Sequence, residues 1–190
     1  SRGLGDVYKR QAGRFSIMSD NKEMHVLSIY VENHAGVLSR ISGLFSRRMY
    51  NIDSLSVGET ENPKISRMTI VTHADDNTFR QIQNQLAKLE DVKRICELHK
   101  DTSVLREHVL IKVNAKDSTS IMQMCQIFRA NVVDVSRELL TLELTGGPSK
   151  INAFIELMEQ FDIEGLVRTG LTGLKRGKSE RPEELNQKNN

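Results

Sequence analysis

Tryptophan is absent, cysteine occurs twice, proline three times, and aromatic side chains make up 5% of the 190 residues. With so few aromatics, little platform exists for stacking nucleobases. Lys and Arg total 27 against 25 Asp and Glu, a net charge of +2, so no strong basic field draws a polyanion either. A nucleic-acid partner is therefore not expected. Cys96 and Cys125 lie far apart, with no Cys-x-x-Cys pair to suggest a zinc site or a disulfide framework. A reducing, cytoplasmic location fits that usage. No apolar run approaches the roughly 18 residues that a membrane span requires, so no membrane association is expected. Catalytic signatures are missing as well: there is no G-x-S-x-G, no GxxxxGK[ST] and no HExxH. The five histidines, His25, His34, His73, His99 and His108, are scattered singly and read as surface or strand-edge side chains. No catalytic residue and no metal ligand is expected.

What is present suits a folded core, with 38% hydrophobic and 27% charged residues. Leu27, Ile29 and Val31 alternate as one face of a half-buried strand over residues 25–31. Val37, Ile41 and Leu44 then recur at helical spacing, widened by Leu38 and Phe45. Strands are predicted over residues 52–59 and 66–73, joined by a loop at Glu61-Asn62-Pro63-Lys64. Phe79, Ile82, Leu86 and Leu89 mark a second helix, introduced by Asp75-Asp76-Asn77, and residues 92–98 close the set. The order is βαββαβ, and it returns. Strands are predicted over 108–114, 132–136, 139–145 and 163–169, with helices marked by Ile121, Met124, Cys125 and Phe128, and by Ile151, Phe154, Ile155 and Met158. Asp117 and Ser118 suit the first helix start, while Gly146-Gly147-Pro148 breaks the chain before the second.

The expected fold is α+β, two ferredoxin-like βαββαβ domains over residues 24–99 and 105–174, joined near residues 100–104. Each antiparallel sheet carries helices on one face, so the other face needs a second sheet or subunit. Residues 1–23 lack both a hydrophobic period and the apolar core of a secretory signal, and are read as a non-native or disordered leader, with Met18 or Met24 as the start. Residues 175–190 are polar and charged, and read as a disordered tail.

The junction of the first strand and helix, Glu32-Asn33-His34-Ala35-Gly36, is the one stretch that points to a ligand. Free N–H groups and the positive end of the helix dipole suit a small carboxylate there. Gly36 lets a ligand approach the backbone. Asn33 offers a donor and an acceptor, and either Asn33 or His34 is placed to cap the helix. Asn51, at the entry to the second strand, supplies another amide. The same residues also serve as ordinary turn and capping residues, and spacing alone leaves both readings open.

The runs EN-x-x-G-x-L-S-R (32–40), G-L-F-S-x-R-x-Y-N-I-x-S-L (43–55), SRMTIV (66–71) and L-x-K-L-x-D-V (86–92) closely resemble the amino-terminal ACT domain of the small, regulatory subunits of acetolactate synthase (acetohydroxyacid synthase). LREHVLIKV (105–113), IFRANVVDV (127–135) and GLTGLKRG (170–177) are similar to the carboxy-terminal domain of that family. The resemblance implies a non-catalytic protein with no cofactor of its own. Its partner would be a large catalytic subunit that uses thiamine diphosphate, Mg²⁺ and usually FAD in a transketolase-type condensation of 2-oxo acids. It further implies a homodimer through the ACT domain, activation of the catalytic subunit, and feedback inhibition by valine in branched-chain amino-acid (valine, leucine, isoleucine) biosynthesis. Carried over by position, Asn33, Gly36 and Asn51 would bind L-valine, with His34, Val37, Leu38 and Ile52 lining the site. The family usually has glycine where this chain has Met49, so Met49 is expected either to take an ordinary φ or to bear a positive one. Three other readings predict different features. An RRM-like nucleic-acid binder needs aromatics on its middle strands, which SRMTIVTH and LTLELT lack. A thiamine-diphosphate enzyme needs cofactor motifs that are not seen. A stand-alone ACT sensor for another enzyme would differ in its partner.

Overall fold

The computed structural model describes residues 22–177, so the readings of a leader over 1–21 and a tail over 178–190 lie outside the described residues. The first half runs β1 (Glu23–Glu32), α1 (Val37–Arg47), β2 (Ser54–Glu59), β3 (Ile65–Ala74), α2 (Asp76–Leu86) and β4 (Val92–Glu97). Its sheet has the order β2-β3-β1-β4 with antiparallel ladders. The second half runs β5 (Ser103–Asn114), α3 (Ser118–Phe128), β6 (Asn131–Val135), β7 (Leu139–Gly146), α4 (Pro148–Met158), β8 (Ile163–Arg168) and β9 (Thr172–Lys175). Its order is β6-β7-β5-β8, with β9 paired to the start of β5. The fold is α+β, two ferredoxin-like units.

Each half builds its own core from the predicted stripes. Leu27, Ile29 and Val31 of β1 meet Val37, Ile41, Leu44 and Phe45 of α1 and Phe79, Ile82 and Leu86 of α2. Val109, Ile111 and Val113 of β5 meet Ile121 and Cys125 of α3 and Ile151, Phe154 and Met158 of α4. Asp75 caps α2 by accepting hydrogen bonds from the Asn77 and Thr78 N–H groups, and its carboxyl pKa is lowered chiefly by the Thr78 N–H. Cys96 and Cys125 are buried thiols in different halves. Burial pushes the Cys125 thiol upward, which keeps it protonated and unreactive.

Five features differ from the sequence reading. β1 starts at Glu23, within the residues assigned to the leader, and β2 starts at Ser54 rather than Ile52. β5 starts at Ser103, so the predicted junction over 100–104 is already strand at its end. β9 was not expected at all, and it occupies residues assigned to the domain end and tail. Finally, α1 is not capped by Asn33 or His34: Gly36 is the N-cap, with no side-chain cap bond.

β9 has a structural task. Val26 and Val71, on the helix-free face of the first sheet, pack against Leu98, Leu105 and Leu171. The second half thus covers part of the first sheet's bare face within one chain. Gly173 sits where a Cβ would lie 2.5 Å from Leu105 Cδ2 and 3.0 Å from both Leu98 Cδ1 and the Val104 carbonyl oxygen. Only glycine brings β9 that close.

Met49 takes the positive φ, at 58°. The Tyr50 N–H donates to Phe45 O at 3.0 Å and the Met49 N–H to Ser46 O at 3.1 Å. These two bonds form a Schellman motif with Met49 in the left-handed position, and the Phe45 and Tyr50 rings meet edge-on at 6.1 Å. The Met49 side chain is 91% exposed, so it touches no wall near Asn51. A left-handed L-residue costs about 1–2 kcal/mol, against roughly 0.5–1 kcal/mol for the extra chain entropy of glycine. Met49→Gly is expected to raise the unfolding free energy by about 0.5–1 kcal/mol, read as a higher urea midpoint with an unchanged m-value.

Candidate functional site

The β1–α1 turn is held by the β2–β3 hairpin. The Asn33 N–H donates to Lys64 O at 2.8 Å, and Asn33 Nδ2 donates to Pro63 O at 2.8 Å and to Glu59 Oε1 at 3.0 Å. The carboxamide is therefore oriented by both donors, and its Oδ1 accepts no hydrogen bond among the described residues. Gly36, at φ 92°, then turns the chain directly into α1. This value lies in the region that favours glycine. Because no side chain caps α1 and its first turn has no acidic residue, the N–H groups of Val37, Leu38 and Ser39 remain available to an anion. Leu38 is half-exposed beside them, while the Val37 side chain is buried in the core, so Val37 offers the turn only its backbone.

His34 supports the turn from its other side. Its Nε2 lies 3.1 Å from Asp91 Oδ1 and 3.3 Å from Glu32 Oε2, and Nδ1 lies 3.0 Å from Ala35 O. Arg40 Nη1 donates to Asp91 Oδ2 at 2.7 Å, and Lys93 pairs with Glu32. The Ala35 carbonyl, followed by Asp91 and Glu32, raises the imidazole pKa against the opposing effect of desolvation. Lys93 is the main cause that lowers the Glu32 carboxyl. Glu32, His34 and Asp91 bring their ligating atoms within 4.8 Å of one another. Arg40 and Lys93 already answer the carboxylates there, so the cluster reads as a balanced charge network rather than a cation site. Arg40, Glu59 and Asp91 were not among the sequence-derived candidates. Arg40 and Asp91 do fall in quoted runs, EN-x-x-G-x-L-S-R and L-x-K-L-x-D-V, which is the signal that could have flagged them.

Asn51 and Ile52 lie elsewhere. The Asn51 carbonyl accepts from Thr72 Oγ1 at 2.7 Å, and Asn51 Nδ2 donates to Asp53, which in turn contacts His73 Nδ1 at 2.7 Å. Ile52 packs partly buried on the first core. Asn33 is anchored at Lys64 and Asn51 at Thr72, and the extended chain between those anchors spans about 26 Å. The structure thus gathers Asn33, His34, Gly36, Val37 and Leu38 at one end of β3 and leaves Asn51 and Ile52 at the other. Within one chain the two amides cannot address the same small molecule.

Two family models match the chain: the AHAS small subunit-like ACT domain over residues 27–94 and the small subunit of acetolactate synthase over residues 106–177. The acetolactate synthase small subunit of Mycolicibacterium smegmatis is 46% identical over 162 residues, covering 84% of this chain and 95% of that one. That of Mycobacterium leprae is 45% identical over 155 residues, covering 80% and 92%. Among solved structures, the acetolactate synthase small subunit from Thermotoga maritima superposes with a TM-score of 0.77 at 39% identity, covering 83% of this chain and 99% of that one. The chain belongs to the acetolactate synthase small-subunit family.

Proposed function

We propose that this chain is the regulatory subunit that activates the thiamine-diphosphate-dependent catalytic subunit of acetolactate synthase and makes it sensitive to L-valine. The reading rests on the β1–α1 turn, where an oriented carboxamide and an uncapped helix start lie together on exposed backbone. The carboxylate of valine would take the free N–H groups of α1, its ammonium the Asn33 Oδ1, and its isopropyl group the exposed side of Leu38. Asn51 and Ile52 would come from a second copy, which makes the effector site a property of a homodimer formed through the ACT domain. Thiamine diphosphate, Mg²⁺ and FAD belong, on this reading, to the catalytic subunit, and the complex works in the cytoplasm. Among the described residues, no helix is long and apolar enough to cross a membrane.

Valine would act by linkage. An effector shifts an equilibrium only by its differential affinity for the two arrangements, usually worth ~1–3 kcal/mol. Here those arrangements are two placements of paired ACT domains, one of which engages the catalytic subunit unproductively. Asn33→Ala removes the oriented amide but leaves the core and the helix intact. Reconstituted with the catalytic subunit, it should activate as the wild type does while its half-inhibiting valine concentration rises by about tenfold or more. Unchanged valine sensitivity would refute the site. Loss of activation would instead point to a structural role for Asn33.

A further inference from the structure

Between the two halves lies a cleft of about 400 Å³, within the range of small-ligand pockets. Its chemistry follows from strand alternation. In the first sheet Leu55, Met68 and Ile70 face the helices, so Ser56 and its cross-strand partner Thr69 face the cleft, as does Arg67 opposite Gly58. In the second, Val109 and Ile111 face the helices, so Arg106 and His108 turn the other way, with Thr172 opposite Arg106 and Thr145 opposite His108. The wall is therefore two guanidinium groups, an imidazole and several hydroxyls.

The carboxylates at its edge are already engaged. Glu59 and Glu107 sit at helix-side positions of their strands. Glu59 accepts from Asn33, and Glu107 accepts two bonds from Arg168, at 2.8 and 2.7 Å. Arg67 is held in place, 4.5 Å over the Tyr30 ring and donating to Gly173 O at 3.3 Å, so its planar group is preoriented. Arg106 is exposed, donates only to the neighbouring Leu105 carbonyl at 2.8 Å, and forms no ion pair among the described residues. His108 uses Nδ1 on Thr145 Oγ1 at 3.0 Å, which directs its ring along the wall.

We propose that this cleft binds a small dianion with acid oxygens, a phosphate or a dicarboxylate, held between Arg67 of the first half and Arg106 and His108 of the second. Such a ligand bridges strands from both units and favours their present placement by mass action. The cleft meets the β1–α1 turn at Glu59, but its test does not depend on the valine reading.

Titration calorimetry of the full chain at low ionic strength and slightly above neutral pH, with inorganic phosphate in one arm and succinate in the other, tests it. One anion per chain should bind in at least one arm, and the arm that binds identifies the acid group. Arg106→Ala should weaken binding by about tenfold or more, as loss of a charge-assisted pair does. Arg80→Ala, an exposed site on α2 that removes the same net charge, should leave it unchanged. Absence of saturable binding in both arms, or equal weakening by the two arginine variants, overturns the proposal.

Discussion

Arg168→Ala should lower the unfolding free energy by about 2–3 kcal/mol. Glu107 is 4% exposed and its carboxylate is gripped by Arg168 Nε at 2.8 Å and Nη2 at 2.7 Å. Removing one partner of a buried pair costs about 3–5 kcal/mol, because the remaining charge is left without water or a counter-ion. The Arg168 side chain is itself 39% exposed, so solvent enters more readily once it is gone, and the cost falls to the bottom of that range or just below it. The same reasoning predicts asymmetry. Glu107→Ala leaves a half-exposed guanidinium that water can reach, and should cost less. Replacing both residues by methionine should be closer to neutral than Arg168→Ala alone, since neither charge then remains. Urea unfolding of the three variants checks the order, and an Arg168→Ala midpoint equal to the wild type would mean that Glu107 is hydrated in solution.

Gly173→Val should have a comparable effect through a different cause. Its side chain would have to occupy space held by Leu105 Cδ2, Leu98 Cδ1 and the Val104 carbonyl. The leucine ends can rotate, but the backbone carbonyl cannot, so β9 must withdraw from β5. Overpacking of this kind costs about 1–3 kcal/mol. The loss is local, because the cluster of Val26, Val71, Leu98, Leu105 and Leu171 is distinct from the two helix-backed cores. Hydrogen exchange should therefore accelerate at Val104 and Arg106 while Ile111 and Val113 keep their protection. Uniform acceleration across β5 would show instead that the second half unfolds as one piece with β9.

The elements that were legible are those whose residues carry their own period. Leu27, Ile29 and Val31 declare a strand, and Val37, Ile41 and Leu44 a helix, because each stripe buries against its immediate neighbours in the chain. β9 was not legible, because four residues with a central glycine look like a loop until Leu98 and Leu105 are folded onto them. The cap of α1 was misread for a similar reason. Asn33 has the chemistry of an N-cap, but its Nδ2 is turned across the sheet to the Pro63 carbonyl and Glu59, and the N-cap position falls three residues later, at Gly36. At the candidate site, the turn itself could be read from Asn33 and Gly36. The separation of Asn51 could have been inferred too, since the eleven residues of α1 lie between them. Contacts such as His34 to Asp91 could not, because they join positions 57 apart.

That separation has an arithmetical consequence. On the proposed reading each chain would carry two different half-sites, and twofold pairing of such chains would create two whole ones, each drawing Asn33 from one molecule and Asn51 from the other. A heterodimer of an Asn33→Ala chain and an Asn51→Ala chain would then have one site with both amides and one with neither. Mixing two variants that are separately insensitive to valine should restore intact sites, roughly a quarter of the total when chains exchange at random.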